Sequence, residues 1–279
     1  MIFKEYKNEE DFLAENEYNL LLDEDVNNTM LGIIPQTEKE KFFFRIENDN
    51  NNIELIGLIT KTERKGLIVY IKNSIVSIEV CEFLVDEIIS RNIELREVKA
   101  PKGISNIIFD LYSKKVEVNM KSNKTFYLMR LRELNAKNEM NVMIRKANMN
   151  DLDFEKDMVF KIASETLGIE MDTERAYEIA KVYIEKGLYF LINESGEVLS
   201  QAATTKATQN GYTIGAVYTP ENMRRKGYAR ECVCRVIQKI KEENKNVIVL
   251  YCNVEKEGNR KLYEGLGFEI ILEETVIKF

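Results

Sequence analysis

Apolar positions along the chain follow two rhythms: short runs rich in β-branched and aromatic residues, which predict strands, and apolar residues three and four apart, which predict helices. From Met143 onward the order is a strand, MIRKA, then helical stretches over Asp151 to Gly168 and Asp172 to Lys186. A strand pair follows, LYFLI and EVLSQAATT, joined across the turn N-E-S-G, and then a third strand, YTIGAVYT. A helix begins near Tyr228, where Val233, Val236, Ile237 and Ile240 stand at i, i+3, i+4 and i+7 and so share one face. After it come the strand NVIVLYCNV, the short helix NRKLYEGL and a closing strand, FEIILEETVIKF.

The first half runs through the same order. It has IFKEY, a helical region from Asn8 to about Asp25, an irregular stretch with Pro35, FFFRIE, the polar turn N-D-N-N-N, and IELIGLIT. GLIVYI then precedes a helix with Cys81, Leu84, Val85 and Ile88 on one face, followed by ELREVKA, ISNIIFDLYSKK and a terminal strand ending YLMRLREL. A recurrence of element order predicts a duplicated unit. The expected organisation is an α/β domain over residues 1–135, a polar linker over 136–142 within ELNAKNEMN, and a second α/β domain over 143–279.

Composition narrows the chemistry. The 279 residues suit two domains, and 44% hydrophobic with 31% charged residues is ordinary globular usage. The chain has no histidine, so a general acid or base must be Tyr, Asp, Glu, Lys, Cys or a terminus. A net charge of −7 offers no broad nucleic-acid footprint. Cys81, Cys232, Cys234 and Cys252 lie in apolar runs without a C-x-x-C pair, which suits reduced thiols. No apolar run approaches the roughly 18 residues of a spanning helix, and the start has no apolar h-region. The expectation is a cytoplasmic protein with no metal, membrane or nucleic-acid partner.

One turn concentrates positive charge. Between YTIGAVYT and the helix from Tyr228 lies P-E-N-M-R-R-K-G-Y-A-R, an R-x-x-G-x-A pattern at a strand-to-helix junction. First-turn N–H groups without intrahelical partners, together with the helix dipole, make such a junction an anion site. Gly227 permits close approach, Ala229 keeps the next position small, and Arg224, Arg225, Lys226 and Arg230 supply cations. Directly after the next strand, G-N-R-K-L-Y-E-G-L-G-F places Asn259 and Tyr263 on one helix face, with Asn259 expected as N-cap and Gly265 and Gly267 at the helix exit.

These residues resemble the GNAT superfamily of acyl-CoA-dependent N-acetyltransferases over Met143 to Phe279. The family's pyrophosphate pattern, Gln/Arg-x-x-Gly-x-Gly/Ala, matches Arg224, Gly227 and Ala229, and its later N-x-x-x-Y-x-x-x-G-F pattern matches Asn259, Tyr263, Gly267 and Phe268. The resemblance implies two mixed, mostly antiparallel sheets flanked by helices and splayed at the cofactor. The pantetheine of acetyl-CoA would run along Val217, Tyr218 and Thr219, and its pyrophosphate would meet the amides of Arg225, Lys226, Gly227, Tyr228, Ala229 and Arg230. Asn253 and Asn259 are further expected cofactor contacts, and Tyr263 would protonate or hydrogen-bond the departing thiolate, whose reference pKa is about 8.5. A backbone N–H near Val217 would polarise the thioester carbonyl.

No strand carboxylate marks the general base; Glu165, Glu170, Asp172 and Glu255 are the nearest candidates, and a water chain would serve equally well. The corresponding first-half junction, VYIKNSIVSIEV, has no glycine and only Lys72 for charge, so the first domain reads as a degenerate copy and one acyl-CoA per chain is expected. The leading reading is acetyl transfer to a small-molecule or peptide primary amine. An acyl-CoA sensor without turnover, an aminoacyl transferase of related fold using charged tRNA, and a partner-binding scaffold are the alternatives.

Overall fold

The computed structural model describes residues 1–36, 40–62, 65–72, 75–135, 140–167 and 170–279. Part of the 136–142 linker, Gly168 at the end of its helical stretch, and Asn73 and Ser74 of the first-half junction lie outside the described residues.

The chain divides into two compact units that interleave along the sequence. The first comprises Met1–Leu128, Cys252–Lys256 and Ile270–Phe279, and the second Met129–Tyr251 and Glu257–Glu269. Ile270–Phe279 thus belong to the first of these units although they follow the second in sequence.

In the first unit, β1 (Ile2–Tyr6), β2 (Lys41–Glu47), β3 (Ile53–Thr60) and β4 (Gly66–Tyr70) form an antiparallel meander. β4 then pairs in parallel with β5 (Glu97–Pro101) from Gly66↔Glu97 to Ile68↔Lys99. Helices α1 (Glu9–Leu22) and α2 (Asn28–Ile33) precede β2, and α3 (Ile78–Ser90) and α4 (Ile104–Ser113) flank β5 in sequence. α1 starts where the Asn8 side chain accepts the Asp11 N–H, with three acidic residues complementing the dipole in its first turn. α2 occupies a stretch expected to be irregular. Its polar N-terminus is held by tertiary contacts: Asn27 Nδ2 donates to the Leu20 carbonyl at 2.9 Å and Asn28 Nδ2 to that of Asp25 at 2.7 Å.

Alternation along β2 sorts side chains to two cores. Phe43 joins Phe12, Leu20 and Met30 on the α1–α2 side, while Phe44 joins Leu84, Ile88 and Ile108 on the α3–α4 side. Opposite Phe44 stands Gly57, where a Cβ would come within 2.0 Å of the ring. The closing strand of the chain, β12 (Phe268–Lys278), runs antiparallel to β5 from Glu274↔Pro101 to Lys278↔Glu97. Most of β6 (Ser122–Leu131) lies on the other side of β12. Thr125 and Thr275 hydroxyls meet at 2.9 Å there.

The second unit repeats the plan. β7 (Met143–Lys146), β8 (Leu188–Ile192), β9 (Val198–Ala207) and β10 (Gly211–Tyr218) are antiparallel, and β10 pairs in parallel with β11 (Val247–Asn253) from Gly211↔Val247 to Ile214↔Leu250. α5 (Leu152–Lys161) continues as a π-helical turn over Ile162–Leu167, and α6 (Thr173–Lys186) ends at Gly187, whose φ of 117° is open to glycine. α7 (Tyr228–Glu242) buries the expected face of Val233, Val236, Ile237 and Ile240. α8 (Glu257–Leu266) precedes β12. Both units are thus mixed α/β with mostly antiparallel sheets. All four cysteines are buried and none forms a disulfide. Among the described residues no helix is long and apolar enough to cross a membrane.

Candidate active site

The site expected from the sequence is built where β10 leaves its neighbours. Pairing with β11 stops at Ile214↔Leu250, so the backbone of Gly215–Tyr218 has no ladder partner on that strand. On the β9 side the register slips: Gly215 faces Ala203 but Tyr218 faces Gln201, an extra residue on β10. That bulge holds Ala216 at φ 50°, a conformation that costs a non-glycine residue free energy and re-aims the adjacent peptide groups at Val217. The result is a short run of strand backbone with no ladder partner on β11, in which the Tyr218 carbonyl accepts the Ser200 hydroxyl at 3.1 Å.

The cationic turn comes next. Arg225 and Gly227 adopt φ 62° and 85°, and Gly227 is the N-cap of α7, so the chain enters the helix through left-handed backbone. The Gly227 carbonyl accepts the Glu231 N–H at 3.1 Å, which leaves the amides of Tyr228, Ala229 and Arg230 in the first turn as donors without an intrahelical partner. A Cβ on Gly227 would lie 2.8 Å from Met140 Cε.

The four cations do not play one role. Arg224 is exposed, yet its guanidinium pairs with the Glu165 carboxylate and lies 5.6 Å over the Tyr218 ring, and its Nε donates to the Thr219 carbonyl at 3.0 Å. Arg230 donates to the Asn135 carbonyl at 3.1 Å. Arg225 and Lys226 are exposed. All four stand at the turn, Arg224 and Arg230 with carboxylate or carbonyl partners that hold their side chains.

Tyr218 is itself buried, packed with Met158 and Ile162, and its hydroxyl donates to Glu165 at 3.1 Å. Burial and then the Glu165 carboxylate push its phenol above the ordinary range. Glu165 moves the other way: the Arg224 guanidinium holds it below the usual carboxylate range, which makes it a weaker proton acceptor. Asp172 is occupied as the N-cap of α6, accepting the Arg175 N–H at 2.7 Å. Glu170 and Glu255 are exposed.

On α8, Tyr263 is 8% exposed and meets Phe268 edge to face at 6.1 Å. Asn259 lies within the first turn of α8, which starts at Glu257, so it is not the cap. The turn before that helix is made by Asn253, whose side chain accepts the Glu255 N–H at 2.9 Å. Gly265 lies inside the helix, whereas Gly267, at φ 98°, makes the exit with its N–H on the Glu264 carbonyl at 2.9 Å.

One residue escaped the sequence reading. Glu155 on α5 is fully buried, accepts only the Gln201 Nε2 at 3.0 Å, and leaves its second oxygen, like the Gln201 Oε1, without a partner. Burial pushes it up to about 8, so it holds a proton at neutral pH. Its position in the apolar series Leu152, Glu155, Val159, Ile162 was the available signal. Among the described residues no group of His, Cys, Asp or Glu side chains is arranged to hold a metal ion.

Residues 194–277 match the family model described as FR47-like protein. No curated protein matches the sequence. Three solved structures of similar fold are an acetyltransferase of the GNAT family from Colwellia psychrerythraea (12% identity, TM-score 0.58, 100% of both chains), a GCN5-related N-acetyltransferase from Sphaerobacter thermophilus (13%, 0.61, 100% of this chain and 95% of that one) and a GCN5-related N-acetyltransferase-like protein from Streptococcus suis (13%, 0.54, 95% and 99%). Identities this low speak for fold. With the bulged strand, the parallel splay and the FR47-like match in one half, and a likeness that runs the length of the chain, this is a protein of the GNAT acetyltransferase fold built from two units of the same plan.

Proposed function

We propose that the chain transfers an acetyl group from acetyl-CoA to a primary amine, with the second unit holding the cosubstrate. The observation that carries this reading is the succession of two backbone irregularities, the bulge at Ala216 and the left-handed entry at Arg225 and Gly227, on consecutive elements. The residues fit the group: Val217 to Thr219 offer strand backbone to an amide-bearing arm, and the exposed turn at Arg225, Lys226 and Gly227 offers first-turn N–H groups and two cations to a pyrophosphate. Arg224 acts at one remove, fixing the Thr219 carbonyl and Glu165. Asn259 and Tyr263 share the α8 face, and Tyr263 is the proposed donor to the leaving sulfur. The acceptor enters as the neutral amine, its proton leaving through water, since Glu165 is tied to Arg224 and Asp172 caps a helix.

That same lack of a poised base favours a second reading, acyl-CoA binding without turnover. Calorimetry with acetyl-CoA, followed by thiol release over a panel of primary amines, separates the two. No binding of acetyl-CoA overturns both, and binding without thiol release for any amine leaves the sensor.

A further inference from the structure

The two units share a side-chain pair as well as a fold. β4 and β10 each end in a buried tyrosine, and each tyrosine donates its hydroxyl to a carboxylate in the segment just after the unit's first helix: Tyr70 to Asp23, the C-cap of α1, and Tyr218 to Glu165, in the π-helical turn after α5. In the second unit Arg224 completes the group, pairing with the carboxylate and covering the ring. In the first unit no described guanidinium or ammonium lies within ion-pair distance of Asp23, and the place is a cavity of about 260 Å³.

The cavity lies between the last turn of α1, the start of β3 and the end of β4. Ile53, Ile56 and the exposed Leu22 give it apolar walls, and Asn19 adds an amide. Glu54 is a second carboxylate, with one oxygen taking the Asn48 amide at 2.7 Å and no described cation paired to it. Lys72 stands in the same lining. Two carboxylates against one ammonium leave the lining net negative. The Tyr70 phenol is held well above its ordinary range by burial and by Asp23, so it remains a neutral donor that orients the Asp23 side chain.

We propose that this cavity is a binding site for a small primary ammonium ligand with an apolar body, whose charged head takes beside Asp23 and Glu54 the place that the Arg224 guanidinium takes beside Glu165. A free aliphatic amino acid and the corresponding amine share that chemistry. Lys72 distinguishes them, because only the amino acid brings a carboxylate for it. The site is independent of acyl transfer and makes the first unit a ligand-reading module.

The test is calorimetry on the full chain with 3-methylbutylamine and with L-leucine, 4-methylpentanoate serving as the ligand without an ammonium. One site per chain is expected for the ammonium ligands and none for 4-methylpentanoate. Asp23→Asn and Glu54→Gln, which keep the neighbouring hydrogen bonds, should each weaken binding by about tenfold or more, the loss of one charge-assisted contact. Lys72→Ala should weaken leucine alone if the amino acid is the natural occupant and neither ligand if the amine is. Circular dichroism reports whether each variant is folded, and either carboxylate variant suffices. Absence of binding by both ammonium ligands overturns the proposal. So does binding that survives Glu54→Gln and Asp23→Asn unchanged, which would place the amine elsewhere on the chain.

Discussion

β4 and β10 hold the same position in their units and differ by one residue. β4 pairs with β3 in unbroken register from Leu67↔Ile59 to Tyr70↔Ile56, whereas β10 slips against β9 between Gly215 and Tyr218. On the β3 side the ladder of β4 therefore runs to the final tyrosine without a break, whereas on the β9 side that of β10 is interrupted before it resumes at Tyr218. The segments that leave the two strands differ in the same sense. The first unit goes on through Lys72 to Ile75 and Val76, with β-branched side chains, and the second goes through Arg225 and Gly227 in left-handed backbone. On the proposed reading, a repeated plan keeps or lacks a cosubstrate site through a few local backbone choices.

The comparison is broken most severely by chemistry at α8. Tyr263→Phe should lower kcat by about 10²–10⁴-fold with acetyl-CoA affinity unchanged. An unchanged kcat would reduce Tyr263 to the packing partner of Phe268. Next comes Gly227→Val, which forces a β-branched residue to φ 85° and against Met140. Affinity for acetyl-CoA should fall by about a hundredfold, in keeping with a few kcal/mol of strain and lost phosphate contact. Equilibrium dialysis should find one acetyl-CoA per wild-type chain and little on the variant. A second site that survives the substitution would mean that the first unit also binds it.

A different effect concerns polar residues buried on the first helices: α1 buries Asn16, bonded to Arg45, and α5 buries Glu155. Because folding raises the Glu155 pKa from the ordinary 4.5 to about 8, the folded state holds the proton more tightly. Its contribution is complete below the unfolded value and is lost as pH rises through about 8. Glu155→Gln should abolish that decline, as read from urea midpoints on either side of the window. Equal pH slopes in the two proteins would contradict it. Smallest of all, Ala216→Gly should raise stability by no more than about 1 kcal/mol, since glycine accepts φ 50° without strain. A loss would show that the Ala216 methyl, packed beside Tyr218, outweighs the backbone term.

The element order was legible because each half repeats strong apolar periodicity, and Gly227 and Gly267 were legible because glycine at a helix boundary marks left-handed backbone. The bulge was not, since Ala216 and Val217 look like any strand residues and only pairing reveals the slip. Asn259 was misread as a cap because Asn253, six residues earlier, offers the same chemistry and sits nearer the turn. The partners of Arg224 and Arg230 are set by residues 59 and 95 positions away, a distance that local pattern does not carry.

The placement of β12 bears on how the chain matures during synthesis. β5 gains its antiparallel neighbour only when residues 274–278 arrive, and with them come the Lys99–Glu274 ion pair at 2.9 Å and the Phe279 N–H on the Arg96 carbonyl at 3.0 Å. Until residues 274–278 have been made, the first unit therefore carries an open strand edge beside β5. Such long-range closure slows folding. A unit begun at β1 is thus completed only after the second unit has been made, and a ribosome stalled before residue 274 would present an aggregation-prone edge.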